Sequence, residues 1–174
     1  MGWVSPTSFT DPDSVWNNEE QAYNGSTSSG ADSPNGSART WGSYIELNIA
    51  SISCDTIRFN ALYNAADINS ISVDVYYSSA WNNIFEGIYV HNTWEEKAIG
   101  STENVTAARV MFYAKKTATA YLYELEFNEV AAEPQQYQQG ISGGITFMNN
   151  MNNKSIFRIK IGTTAIARKE ESGR

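Results

Sequence analysis

Glu124 and Glu126, in the stretch "YLYELEF", are spaced for acid–base chemistry. On an extended strand, side chains two apart share a face, and these would sit about 6–7 Å from one another. Paired carboxylates that cleave glycosidic bonds stand at similar separations, but across a substrate cleft, which one strand does not provide. Nucleophilic chemistry has equally little to work with. The chain holds one cysteine, Cys54, and one histidine, His91, far apart in sequence. Cys54 reads as a buried thiol acting as a small apolar residue, and alone it can form no internal disulfide. There is no G-x-S-x-G, H-E-x-x-H, glycine-rich phosphate loop or Cys–His zinc spacing. The expectation is a protein that binds rather than catalyses.

The binding candidates are aromatic. "YVHNTW" places Tyr89, His91, Asn92 and Trp94 within six residues, and Trp81 and Trp41 lie in or beside other loops, as does Trp16. A flat ring for the apolar face of a sugar, beside planar polar groups for its hydroxyls, is the chemistry such residues offer. The competing reading is that a tryptophan on a short strand packs a core or an edge. A second stretch, "EEQAYNGSTSSG" (residues 19–30), is compact, turn-forming and rich in oxygen atoms, with no large apolar residue after Tyr23. Asn24-Gly25 suits a tight turn.

The elements that must carry these residues read as strands. In "YIELNI", Ile45, Leu47 and Ile49 alternate with polar residues; "DTIRFNALY", "SISVDVYY", "WNNIFEGIYV", "TWEEKAI", "VTAARVMFYAKK" and "TATAYLYELEFNEV" continue the pattern. In the last, Tyr121, Tyr123, Leu125 and Phe127 are expected on one face. "SSA" at 78–80 suggests a hairpin, and "KKTAT" another tight connection. Residues 1–43, rich in Ser, Asn, Asp, Gly and Pro, read as loop with short strands at most. No segment is convincingly helical. Strands recurring every 10 to 15 residues with turns between them predict an all-β antiparallel sandwich.

Taken in order, "DSVWNNEEQAYNGSTSS", "TWGSYIELNI", "TIRFNAL", "ISVDVYYSSAWNNIFEG" and "YLYELEF" resemble the galactose-binding-like superfamily, which includes discoidin domains, coagulation factor type C domains and many carbohydrate-binding modules. The resemblance covers roughly residues 5 to 130. It implies a β-sandwich jelly roll of about eight strands, with ligands held in loops at one end. It also implies a structural calcium ion at "AYNGST", with Ala22, Asn24, Thr27 and Glu124 matching the family's positions. Calcium takes six to eight oxygens, and backbone carbonyls of a glycine-containing turn can supply several. Asn24 stands where the family usually has Asp, so one negative charge is lost.

The chain thus divides into a galactose-binding-like sandwich over residues 1–133 and a linker with a C-terminal β-hairpin arm over 134–174. Residues 134–153 hold no charge. "IFRIKIG" alternates, and a lone hairpin is marginal in water, so its apolar face wants a partner. Charge is uneven: residues 1–153 carry six Lys/Arg against seventeen Asp/Glu, and residues 154–174 six against two. The acidic body should repel nucleic acid and anionic membranes. There is no run of about 18 apolar residues to insert in a membrane, and no signal-peptide pattern at the start. Two roles follow: a glycan-binding module, extracellular or borne on a virion, or a structural virion protein (phage capsid decoration or tail adhesion component) that oligomerises or docks through its arm.

Overall fold

Alternating apolar and polar residues give strands with one buried face, and such strands must pair and stack. The computed structural model describes residues 2–35, 38–64 and 66–131. The linker and hairpin arm expected over 134–174 lie outside the described residues. The described residues form nine strands: β1 Gly2–Val4, β2 Ser8–Thr10, β3 Ala31–Asn35, β4 Thr40–Trp41, β5 Ile45–Ala61, β6 Ile68–Tyr77, β7 Ala80–Gly87, β8 Glu95–Ala114 and β9 Ala118–Glu129. A single 3-10 turn, Glu19–Ala22, is the only helical element among the described residues. The described residues among the first 43 carry only short strands, as their composition predicts.

Every pairing is antiparallel. The sheet is continuous in the order β1-β9-β5-β8-β6-β7, with β2 on β5, β3 on β9 and β4 on β8. Two strands are far longer than the sequence pattern suggests. "YIELNIA" and "DTIRFNALY" run on as the 17-residue β5, and "TWEEKAI" and "VTAARVMFYAKK" as the 20-residue β8. Both serve two layers. The first half of β5 pairs the second half of β8, Ile45 opposite Val110; beyond register breaks at Asn48–Ile52 and Cys54–Thr56, Phe59 lies opposite Glu95. Gly100, at φ 99, lies where β8 turns between its halves. One layer is therefore β2, the start of β5, the end of β8, β4, β6 and β7. The other is β1, β3, β9, the end of β5 and the start of β8. This is a β-sandwich jelly roll.

The two layers meet over an apolar core. Ile45, Leu47, Ile71, Val73, Val75, Val110 and Phe112 fill it from one side, and Ile57, Phe59, Leu122, Leu125 and Phe127 from the other. Phe59 of β5 touches Phe85 of β7, ring centroids 6.0 Å apart, across the layers. Cys54 is buried, its Sγ–H donating to the Thr56 carbonyl at 3.2 Å, and burial pushes its thiol up to about 11. It packs as the small apolar residue expected.

The face assignment of β9 differs from the sequence reading. Asn60 lies opposite Glu124 and Ala61 opposite Leu122, so Tyr123 is an extra residue in β9. This bulge breaks the alternation. Leu122 and Glu124 turn inward, and so do Leu125 and Phe127, the alternation slipping by one between Glu124 and Leu125, which leaves Tyr121 and Tyr123 half-buried on the outside. The same slip puts Glu124 and Glu126, expected to share a face, on opposite ones: Glu124 is buried and Glu126 half-buried. Glu126 instead accepts from Arg58 Nε at 2.6 Å.

Candidate functional site

β3 covers residues 118–122 of one edge of β9 and β1 covers 127–129, which leaves 123–126 without a strand partner on that edge among the described residues. The oxygen-rich stretch fills this gap. Gly30 packs directly on β9: a Cβ there would lie 2.7 Å from the Tyr123 ring and 2.8 Å from the Leu122 carbonyl oxygen, so only glycine fits without displacement. Upstream, Gly25 adopts φ 81, the left-handed conformation the Asn24-Gly25 turn calls for. Asn24 Oδ1 accepts from Ser26 N–H at 2.9 Å, which closes the turn.

Glu124 reaches into this turn. Its Oε2 accepts from the Gly25 N–H at 2.9 Å and the Ser26 N–H at 3.0 Å. Its side chain is 1% exposed, and Oε1 is buried with no partner among the described residues. Burial pushes the carboxyl up to about 7, against the pull of the two N–H groups. A buried, bare carboxylate oxygen beneath an oxygen-rich loop fits a cation. No group of three or more His, Cys, Asp and Glu surrounds it among the described residues. The remaining ligands would therefore be neutral oxygens: the carbonyl of Ala22, the amide or carbonyl of Asn24, and the hydroxyl or carbonyl of Thr27.

Beside this loop opens a cleft of about 340 Å³, lined by Asn18, Gln21, Ser28, Ser29, Asp32, Tyr121 and Tyr123. The 3-10 turn, β3 and the outward tyrosines of β9 build its walls. Asp32 is held in place by Asn17 Nδ2 at 3.2 Å and Asn18 Nδ2 at 3.0 Å. Asn18 takes φ 54, a conformation that Asn tolerates better than most residues. The cleft combines two aromatic rings with two amides, a carboxylate and two hydroxyls, the mixed lining that sugars require.

The residues singled out from the sequence do not converge. Tyr89 is 3% exposed; its hydroxyl donates to the Leu62 carbonyl, and its ring packs between Phe59, Tyr63 and Phe112. It belongs to the core, because a loop aromatic flanked by the exposed Ile88 and Val90 turns inward. Trp16, 4% exposed, is also core. His91 and Asn92 are exposed; His91 Nδ1 accepts from the Tyr63 N–H at 3.2 Å. The Arg58 guanidinium lies over the Trp94 ring at 4.1 Å and over the Trp3 ring at 4.3 Å. Trp41 packs edge-on against Tyr113, and Trp81 against Tyr76. Of the cleft's lining, Gln21, Ser28 and Ser29 fall in the stretch 19–30 singled out for an ion, Tyr121 and Tyr123 were expected on the same face as Leu125 and Phe127, and Asn18 and Asp32 were not singled out.

No family model matches the sequence, and no curated protein does. Solved structures match in fold. Chitosan-binding module 1 of a chitosanase/glucanase from Paenibacillus sp. IK-5 superposes with a TM-score of 0.54 at 16% identity, over 72% of this chain and 96% of that one. GH31 CBM32-2 bound to GalNAc gives 0.54 at 10% identity, over 75% of this chain and all of that one. The chain has the galactose-binding-like fold. The CBM32 of AlyQ, in complex with 4,5-unsaturated mannuronic acid, superposes at 0.50 with 13% identity, over 75% of this chain and 100% of that one. The galactose-binding-like fold explains why nine strands with no repeated motif can be recognised from their order, and it leaves function to the cleft and loops.

Proposed function

We propose that this chain is a non-catalytic carbohydrate-binding module, extracellular in its setting, which takes a sugar unit into the cleft between the 3-10 turn, β3 and β9. The cleft carries the reading: Tyr121 and Tyr123 offer ring faces, while Asn18, Gln21 and Asp32 offer planar donors and acceptors beside them. Solved modules of the same fold, one of them bound to GalNAc, lend it support. Glu124 and Glu126 serve no hydrolytic role in it, since one is tied to the Gly25 turn and the other to Arg58.

The same proposal includes a calcium ion held by Glu124, Ala22, Asn24 and Thr27. It would supply positive charge to the partnerless Glu124 oxygen and pin the loop that backs the cleft. Asn24 in place of an acid makes the site weaker than one with two carboxylates. Screening the full chain against a glycan array tests the module reading. Binding to one class of sugar, lost in Tyr121→Ala/Tyr123→Ala, is the expected result. A blank array overturns it and leaves assembly through residues 134–174, read by light scattering, as the role to pursue.

A further inference from the structure

The outer face of the other layer carries a second constellation. Strand register sets Asn83, Asp74, Arg109, Glu46 and Thr10 in one row across β7, β6, β8, β5 and β2. Arg109 Nε donates to Asp74 Oδ2 at 2.6 Å. Asn83 Nδ2 donates to Asp74 Oδ1 at 2.7 Å and to Ser72 Oγ at 3.0 Å. The Arg109 guanidinium lies 4.7 Å from the Trp81 ring centroid and 5.1 Å from that of Tyr44. Trp81 is itself braced by Tyr76, centroids 5.1 Å apart. Between these groups is a hollow of about 110 Å³ lined by Tyr44, Ser72, Asp74, Arg109 and Met111.

Three features set this apart from a solvated sheet face. Ser72 and Asp74 alternate with the core residues Ile71, Val73 and Val75, so they point outward, yet they are 3% and 7% exposed. The terminal amino groups of Arg109 have no acceptor among the described residues, although its side chain is 29% exposed. The polar groups are fixed by one another before any ligand arrives, so little ordering is needed on binding.

The chemistry selects the ligand. Asp74 balances the Arg109 charge, and Glu46 lies directly across from Arg109 in the register. An anion therefore gains little here, and the protein as a whole is negative. What remains is a donor edge beside an acceptor carboxylate, next to two aromatic faces. That pairing matches adjacent hydroxyls on a neutral pyranose, whose C–H face lies on Trp81 or Tyr44. At about 30 Å³ per water, the hollow admits the edge of one sugar unit rather than a whole chain. We propose that it is a second carbohydrate contact, for a neutral pyranose, on the β6–β8 face. The proposal rests on the module reading above, and the site shares no residue with the first cleft.

The test uses nitrogen-labelled full-length protein titrated with galactose, N-acetylgalactosamine and, as an anionic counterpart, glucuronate. The signals followed are the indole N–H of Trp81, assigned by Trp81→Phe, and the Nε–H of Arg109. Both should shift with one of the neutral sugars, and should do so unchanged in Tyr121→Ala/Tyr123→Ala. Arg109→Lys keeps the charge beside Asp74 and loses the planar fork, so it should weaken this site about tenfold while leaving a dispersed spectrum. Shifts confined to the first cleft would leave the module reading standing and overturn this one. No shift with any of the three sugars would overturn this second contact, while the glycan array decides the module reading separately. A response to glucuronate alone would overturn the neutral-sugar assignment.

Discussion

Glu124 on β9 takes a hydrogen bond through one oxygen from the backbone of Gly25, ninety-nine positions earlier in the chain, while its other oxygen is buried without a partner among the described residues. The carboxyl is thus half satisfied, and burial raises it from 4.5 to about 7. In the unfolded chain it titrates near its ordinary value. The folded state therefore binds the proton more tightly. The stabilisation is complete below about pH 4.5 and is lost as pH rises to about 7, by about 3 kcal/mol. In metal-free protein, the stability of wild type minus that of Glu124→Gln should fall across that window. Urea unfolding at a series of pH values measures it, and a flat difference contradicts the burial argument.

Calcium acts on the charged form of the same group. Above pH 7, saturating calcium should raise the melting temperature of wild type, because a ligand bound only to the native state stabilises it. Glu124→Gln should not respond. An unchanged wild-type midpoint with calcium and with chelator would remove the ion from the proposal and leave the pH prediction intact.

The outward tyrosines bear on function directly. Tyr121→Ala and Tyr123→Ala should each weaken sugar binding about tenfold, the scale of a lost aromatic face. Calorimetric titration with the sugar found on an array reads this. Melting should change little for Tyr121, which is half-buried on the outside of β9. An affinity unmoved by both variants would place the sugar elsewhere.

The strand set was legible because period-2 alternation is a local property, and so was the hairpin at Ser78-Ser79, where both residues take positive φ. The merging of four predicted strands into β5 and β8 was not legible. Residues 49–55 and 99–103 bend between layers instead of stopping; no proline or turn dipeptide marks the corner of β5, and in β8 a single glycine, Gly100, is the one sign of it. The site was hidden for a related reason. The cleft joins Asn18, Gln21 and Asp32 to Tyr121 and Tyr123 across about a hundred positions, and the slip in alternation between Glu124 and Leu125 puts the two tyrosines on the face opposite Leu125 and Phe127. Arg109 reads as one charge on a strand; its pairing with Asp74, thirty-five positions away, exists only through the β6–β8 register.

Tyr89 separates core from site. Tyr89→Phe removes the hydroxyl that donates to the Leu62 carbonyl, leaving a part-buried acceptor unpaired. The expected cost is about 1–3 kcal/mol in denaturant unfolding, with no change in sugar affinity. A variant with wild-type stability and lost binding would restore Tyr89 to the ligand.

Gly30 links the loop to the cleft. A methyl group there meets the Leu122 carbonyl oxygen at 2.8 Å and the Tyr123 ring at 2.7 Å. The ring can rotate away, but the carbonyl belongs to a backbone already paired, Leu122 lying opposite both Ala31 and Ala61. The loop must therefore lift off β9. Gly30→Ala should cost about 1–3 kcal/mol, in the range of other overpacking changes, and should weaken sugar binding by displacing Ser28, Ser29 and Tyr123 together. If the Glu124 turn moves with the loop, calcium stabilisation should shrink in the same variant. Thermal melting with and without calcium, set beside titration with the array-identified sugar, reads both effects in one protein. Gly30→Ala with wild-type affinity would show that the loop between Gly25 and Ala31 is not a wall of the binding site.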